Sequence, residues 1–301
     1  MALGLGIVVY WATQSGPAAA IISAFKSRVI ADGGTVESPS CAKSDVKFLL
    51  DNPAPSAYDA DYQAVLDRST ALGYTAPSAA QQTLQNTLVE DLKTAGVWDK
   101  LDLFYVFATD GDSDYATLNW KAPSSHQVTK VSSPTFTANE GFTGNASSAY
   151  LETNYNPSND ATNYALNAAS FGFFISDLGT FTGTSISDFG APDAVNRAWY
   201  RRTSNRFYIN SSGYTFVTPY TANTFVHANR NGSNTAQAYH NGTLVDSPTN
   251  VSTSIPPVNF AAFKRSGLFS ESTLGIAFVG GDLSSESSDF NTAINNYLTA
   301  L

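Results

Sequence analysis

At 301 residues, 43% of them hydrophobic, the chain is long enough for more than one packed unit and too apolar to be disordered. A net charge of −9, with no Lys/Arg stripe to concentrate positive potential, excludes a nucleic-acid-binding surface. Only 14% of residues are charged, and Ser, Thr, Asn and Gly fill the polar positions, which suits many short strands joined by tight turns better than a salt-bridged helical enzyme.

The opening MALGLGIVVYWATQSG is apolar, lacks the basic flank of a secretion signal and is too short to span a membrane. GLGIVV lacks the third glycine of a dinucleotide fingerprint. Residues 1–16 are therefore expected to form a docking strand or arm.

Residues 17–109 are expected to form a helical assembly module built from two copies of one unit. SRVIADGGTVESPS at 27–40 and DRSTALGYTAPS at 67–78 share arginine, alanine, glycine, threonine and serine at matching places. In the first copy Ile21, Ile22, Phe25, Val29 and Ile30 recur at helical spacing, and Gly33 and Gly34 stop the helix. The second copy places Tyr62, Val65 and Leu66 on one helical face, turns at Pro77, and continues through Leu84, Leu88, Val89 and Leu92. The positions that a DNA-reading helix would use carry Ala, Gln, Asn and Asp, so each pair reads as a structural αα-hairpin. Cys41, the single cysteine, permits no internal disulfide and reads as a small buried apolar residue. Gly96 ends the last helix, and VWDKLDLFYVFAT continues as a buried strand or as a short helix followed by a strand.

From about residue 115 the periodicity changes to two. SFGFFISDLG alternates over Phe171, Phe173 and Ile175, and RAWYRRTSNRFYINSSGYTF reads as two strands and a further turn. Asn231–Gly232 and Asn241–Gly242 are hairpin signals. STLGIAFVGGDL is a last apolar strand, followed by a serine-capped helix with Phe290, Ile294, Leu298 and Leu301 on one face. The fold class expected is mostly β with an N-terminal α module: a two-sheet antiparallel jelly roll over 110–301, with a C-terminal helix.

The stretch TFVHANRNGSNTAQAYHNGTLVDSP resembles concanavalin A-like (laminin-G-like) jelly rolls, in which one strand ends at an arginine and the next carries Y-x-NG-x-LV. More broadly, FKSRVIADGG at 25–34, LVEDLKTAGVWDKL at 88–101, LNWKAP at 118–123 and FVGGDLSSESSDFNTAINNYLTAL at 278–301 resemble, in that order, a group of phage and prophage virion structural proteins. The resemblance covers most of residues 20–301. It implies a capsid decoration, head-fibre or tail-appendage subunit, located in the particle after assembly in the host cytoplasm. Other virion proteins are its implied partners, reached through the N-terminal region, and a homo-oligomer is expected. Neither nucleic acid nor membrane is expected as a partner.

Jelly rolls of this shape also host glucanases, which need two carboxylates about 5 Å apart. No E-x-D-x-E run occurs, Glu140 and Glu152 being the one pair that a turn could bring together. No G-x-S-x-G elbow is present, and His126, His227 and His240 are too dispersed for zinc. The chain is therefore expected not to be an enzyme, with no catalytic residue and no resident cofactor. Asp110, Asp112 and Asp114 form the best cation candidate, and calcium is the ion such a trio suits. Tyr115 occupies the place of the EF-hand glycine, so a solvated loop is the competing reading. Trp199, Tyr200, Arg202, Arg206 and Tyr208 combine aromatic faces with hydroxyl-binding groups, as a site for host surface glycans needs. Strand alternation sends half of them into the core. Five N-x-S/T triplets, beginning at Asn145, Asn210, Asn231, Asn241 and Asn250, follow from Asn-rich composition.

Overall fold

The computed structural model describes residues 58–180, 187–192, 197–201, 206–213, 215–216 and 218–301. The expected docking arm at 1–16, the first helical copy and Cys41 lie outside the described residues.

The second helical copy forms as its periodicity requires. Helix α1 (Ala60–Leu72) starts where the Asp59 carboxylate accepts the Asp61 amide and stops at Gly73, whose φ of 73° suits glycine. Helix α2 (Ala79–Thr94) starts at Ser78, whose hydroxyl accepts the Gln81 amide. Helix α3 (Ser287–Thr299) closes the described chain. Its expected serine cap is absent: Glu286 occupies the cap position and makes no side-chain cap bond. Its inward residues are Phe290, Ala293, Ile294 and Tyr297, whereas Leu301 is exposed.

Two large antiparallel sheets follow, beside a two-stranded one of β15 (Lys264–Arg265) and β16 (Leu268–Phe269). The larger contains β1 (Leu101–Val106), β3 (Thr135–Thr137), β4 (Gly141–Thr143), β6 (Ala169–Asp177), β11 (Thr224–Arg230), β12 (Ala236–His240), β13 (Thr243–Asp246) and β17 (Thr273–Gly280). Its order is β13-β12-β11-β6-β17-β4-β3, and β1 also pairs with β17. The smaller sheet contains β2 (Thr129–Val131), β5 (Tyr150–Glu152), β7 (Phe189–Pro192), β8 (Arg197–Arg201), β9 (Arg206–Ser211), β10 (Thr215–Phe216) and β14 (Ala261–Ala262). Its order is β10-β9-β8-β7-β14-β5-β2. This is the expected two-sheet jelly roll. Asn241 and Gly242, with φ of 48° and 74°, make the tight turn between β12 and β13.

The larger sheet is buried on both faces, which explains why all eight residues of β17 are inaccessible. Phe171, Phe173 and Ile175 of β6 face the smaller sheet, together with Leu274, Ala277 and Val279 of β17. Ile276 and Phe278 of β17 and Phe225 of β11 point the other way, into a second core with the three helices. Each fully buried aromatic contributes roughly 1.5–3 kcal/mol by leaving water. Gly172 permits the close packing of this layer: a Cβ there would stand 2.2 Å from the Val226 carbonyl and 2.5 Å from the Phe278 ring.

The boundary expected at 109/110 does not separate two units. Residues 58–301 form one compact unit, because β1 lies inside the larger sheet and pairs with β17 from Leu101↔Gly280 to Val106↔Ile276. The helices are the third layer of the sandwich.

Two buried polar groups tie these layers together. Arg230, the arginine that ends β11, is fully buried and spends its guanidinium on carbonyl oxygens. Nε and Nη2 donate to the Ile209 carbonyl at 3.0 and 2.8 Å, Nη1 to the Asn250 carbonyl at 2.8 Å, and Nη2 to Asn250 Oδ1 at 2.9 Å. Ile209 belongs to β9, so this side chain clamps one sheet to the other. On the opposite face, Gln85 of α2 joins the helices. Its Oε1 accepts from the Tyr62 and Tyr115 hydroxyls, both at 2.8 Å, while Nε2 donates to Thr109 at 3.0 Å and to the Tyr297 hydroxyl at 3.2 Å.

His227 of β11 is buried beneath α3, with Nδ1 3.2 Å from the Ser287 hydroxyl and its ring stacked on Tyr239 at 5.1 Å. Burial disfavours the imidazolium and pushes the pKa down to about 3. A depressed folded-state pKa means that stability is complete above the unfolded value near 6.5 and is lost as pH falls from there towards 3. Denaturant titrations are therefore expected to show stability falling below pH 6.5 by up to about 1.4 kcal/mol per pH unit. His227→Gln should remove most of that slope between pH 6 and 4; an unchanged slope would assign it to other groups.

Candidate functional site

The five residues singled out for glycan binding do not form one open face. In the β8–β9 ladder Trp199 lies across from Tyr208 and Tyr200 across from Phe207, a residue of the sandwich core. Tyr208 is only 4% exposed, and the Arg197 guanidinium sits 4.7 Å from its ring centre. A ring covered in this way has no face left for a sugar. Arg206 is half-buried opposite Arg201, and Arg202 lies outside the described residues. The row continues from Trp199 through Gly190 and Ala261 to Glu152, and both small residues are buried. Glu140 lies in the turn between β3 and β4 of the larger sheet, whereas Glu152 belongs to the smaller one, so the two glutamates are carried by different sheets. Burial raises the Glu152 carboxyl above its ordinary pKa, outweighing a hydrogen bond from Asn259 and the charge of Lys264.

The aspartate trio is a structural tie and does not converge on a cation. Asp110 Oδ1 accepts the Ser78 amide at 3.0 Å. Asp112 accepts the Thr75 amide at 2.6 Å through Oδ2 and the Asp114 and Tyr115 amides through Oδ1. Asp114 accepts from the Lys130 ammonium at 2.7 Å. Burial acts to raise the Asp112 pKa, but the amides of Thr75, Tyr115 and Asp114 outweigh it and hold the carboxyl below its usual value. In these contacts the carboxylates of the loop serve backbone and lysine donors. Among the described residues no group of His, Cys, Asp and Glu is arranged to hold a metal.

The open concavity lies elsewhere, between α3 and the helix-facing side of the larger sheet. A cavity of about 220 Å³ is lined there by Asn223, Asn241, Asn291 and Asn295. Phe174 and Phe225, a cross-strand pair of β6 and β11, line it with Ile294 and Leu298 of α3. Backbone geometry places the amides. Asn291 and Asn295 are four residues apart on α3 and so share one helical face. Asn223 and Asn241 have φ of 56° and 48°, a left-handed conformation that asparagine tolerates, at the two ends of adjoining turns. Asn241 Oδ1 accepts the Phe225 amide at 2.8 Å, which ties the side chain to the start of β11. Phe174 is half-buried, while Phe225 is packed against Phe290 at 5.0 Å.

This chemistry was missed in the sequence because the lining comes from four separate segments. Asn291 and Asn295 of NTAINNYL were the available signal: two amides one helical turn apart, next to an apolar stripe. Of the N-x-S/T asparagines, Asn241 lines this cavity, whereas Asn210 is fully buried and accepts from the Tyr164 hydroxyl at 2.6 Å.

No protein-family model matches the chain, and no curated protein does. Solved structures overlap its sheets at low identity. Trypanosoma rangeli sialidase is 11% identical with a TM-score of 0.47, over 73% of this chain and 40% of that one. Domain 4 of AbnA, a GH43 extracellular arabinanase from Geobacillus stearothermophilus solved with arabinotriose, is 15% identical with a TM-score of 0.40, over 64% of this chain and 98% of that one. A botulinum neurotoxin type C structure, whose cell entry depends on two ganglioside molecules, is 12% identical with a TM-score of 0.44, over 68% of this chain and 53% of that one. The chain thus spans about two-fifths of the sialidase. The expectation that the chain is not an enzyme is set aside here, because the similar structures include a sialidase and a domain of an arabinanase; at these identities and TM-scores the likeness assigns this chain no activity.

Proposed function

We propose that the chain is a glycan-recognition protein and that the asparagine-lined cavity beneath α3 is its binding site. The observation that carries this reading is the cavity's composition: four primary amides beside the half-buried Phe174 and the apolar side chains of α3. An amide offers a donor and an acceptor side by side, as adjacent sugar hydroxyls do, and an apolar floor accepts the C–H face of the ring.

The full-length protein is expected to bind at least one class on a glycan array and to lose that binding on Asn295→Ala. Asn295 is exposed on α3, so the substitution should leave Tm within a few degrees of the parent. Binding lost instead on Trp199→Ala would move the site to the smaller sheet. Release of free sugar from a bound glycan would add hydrolysis to recognition.

The ordered motifs at 25–34, 88–101, 118–123 and 278–301 favour a second element of the proposal: the protein is a homo-oligomeric component of a phage particle, as a capsid decoration, head fibre or tail appendage. Mass spectrometry of purified particles should then find the chain at a fixed copy number, and that number separates a shell-wide decoration from a tail fibre. Its absence from particles would end the virion reading and leave glycan recognition standing.

A further inference from the structure

Resting on the glycan reading, we propose that the cavity beneath α3 selects a single uncharged sugar residue and rejects acidic sugars such as sialic acid and uronates. Two observations carry this selectivity. First, among the described residues all the polar side chains lining the cavity are neutral amides, with no lysine, arginine or histidine. A sugar carboxylate accepts hydrogen bonds and cannot donate them, so it needs charge-assisted donors, most often an arginine fork. Here it would meet amide carbonyls as often as amide N–H groups and would be desolvated with no opposing charge. A hydroxyl both donates and accepts, and it is satisfied by either end of an asparagine. The chain's net charge of −9 acts in the same direction by repelling anions at long range.

The second observation is size. At about 220 Å³ the cavity falls below the roughly 300–1,000 Å³ that holds a drug-sized ligand. One pyranose ring is the matching unit, so the preferred ligand is a terminal or branch residue whose neighbours remain in solvent. Asn291 and Asn295, one helical turn apart, line the cavity from α3, and Asn241 lines it from the β12–β13 turn with its Oδ1 already bonded to the Phe225 amide.

Isothermal titration calorimetry of the full-length protein with the methyl glycosides of galactose, glucose, mannose and N-acetylglucosamine, and with N-acetylneuraminic acid and glucuronic acid, tests the proposal. At least one neutral glycoside should bind at least tenfold more tightly than either acid. Asn291→Ala and Asn295→Ala should each weaken it about tenfold, while Asn295→Lys, by bringing a cation to the rim, should narrow the gap to the acids. Equal or tighter binding of an acidic sugar overturns the selectivity while glycan recognition stands. Neutral binding that survives both alanine substitutions removes the selectivity from this cavity. Binding of none of these sugars, and of nothing on the array, ends the glycan reading itself.

Discussion

Replacing Arg230 by methionine is expected to cost about 3 kcal/mol, read as a lowered urea midpoint with an unchanged slope. The guanidinium satisfies the Ile209 and Asn250 carbonyls and the Asn250 side chain, all at the buried end of β11. Methionine fills much of the same volume and donates nothing, so those acceptors lose their partners at roughly 1–3 kcal/mol each. Part of this is returned, because burying a cation is itself unfavourable. That cost is visible in the guanidinium pKa, which burial pushes down to about 10, leaving it charged at neutral pH. Arg230→Lys keeps the charge but loses the fork and should fall between parent and methionine. Because Arg230 belongs to the larger sheet and Ile209 to the smaller, hydrogen exchange in the methionine variant should accelerate first in β9 and β11. A methionine variant as stable as the parent would mean that desolvation cancels the clamp.

Gln85→Leu is expected to have a comparable effect, about 2–4 kcal/mol, on the other face of the sheet. Leucine leaves the Tyr62 and Tyr115 hydroxyls without their shared acceptor, each in a site with no exposure to water. It also deprives Thr109 and Tyr297 of their amide donor. Exchange should now quicken in α1, α2 and α3 while the β6–β11 ladder stays protected, which separates this variant from Arg230→Met. Since α3 is one wall of the asparagine-lined cavity, any sugar affinity should fall with it. Uniform loss of protection would show that the helical layer and the sandwich unfold together.

The contrast between these two residues shows what the sequence could express. Period-two alternation in SFGFFISDLG and the Asn241–Gly242 turn are local signals, and both became the strands and hairpin they announce. Arg230 was visible only as the arginine closing a strand in a resembling stretch; that it bridges two sheets depends on Ile209 and Asn250, which are distant in sequence. Gln81 and Gln85 were invisible. A count of apolar periodicity reads α2 through Leu84, Leu88, Val89 and Leu92, yet both glutamines are buried and Leu84 is only partly so. Buried amides look like surface residues until their partners arrive from other segments. The misplaced boundary has the same origin, since β1 finds β17 some 170 positions downstream. The aspartates of DGDSD advertised a cation, but acidic spacing alone cannot reveal that backbone amides of Thr75 and Ser78 will occupy the oxygens.

The site itself was the least legible feature, because Phe174, Asn223, Asn241 and the α3 asparagines meet only after the whole sheet has formed. Aromatic richness drew attention to β8 and β9, where the Tyr208 ring proves to be packed beneath Arg197. The most direct measurement is a nuclear magnetic resonance titration of the labelled protein with the tightest neutral glycoside, following side-chain amide and indole signals. The NH₂ resonances of Asn241, Asn291 and Asn295 should move together along one saturating curve while the Trp199 indole stays still. Shifts centred on Trp199, or none at saturating sugar, would contradict recognition beneath α3.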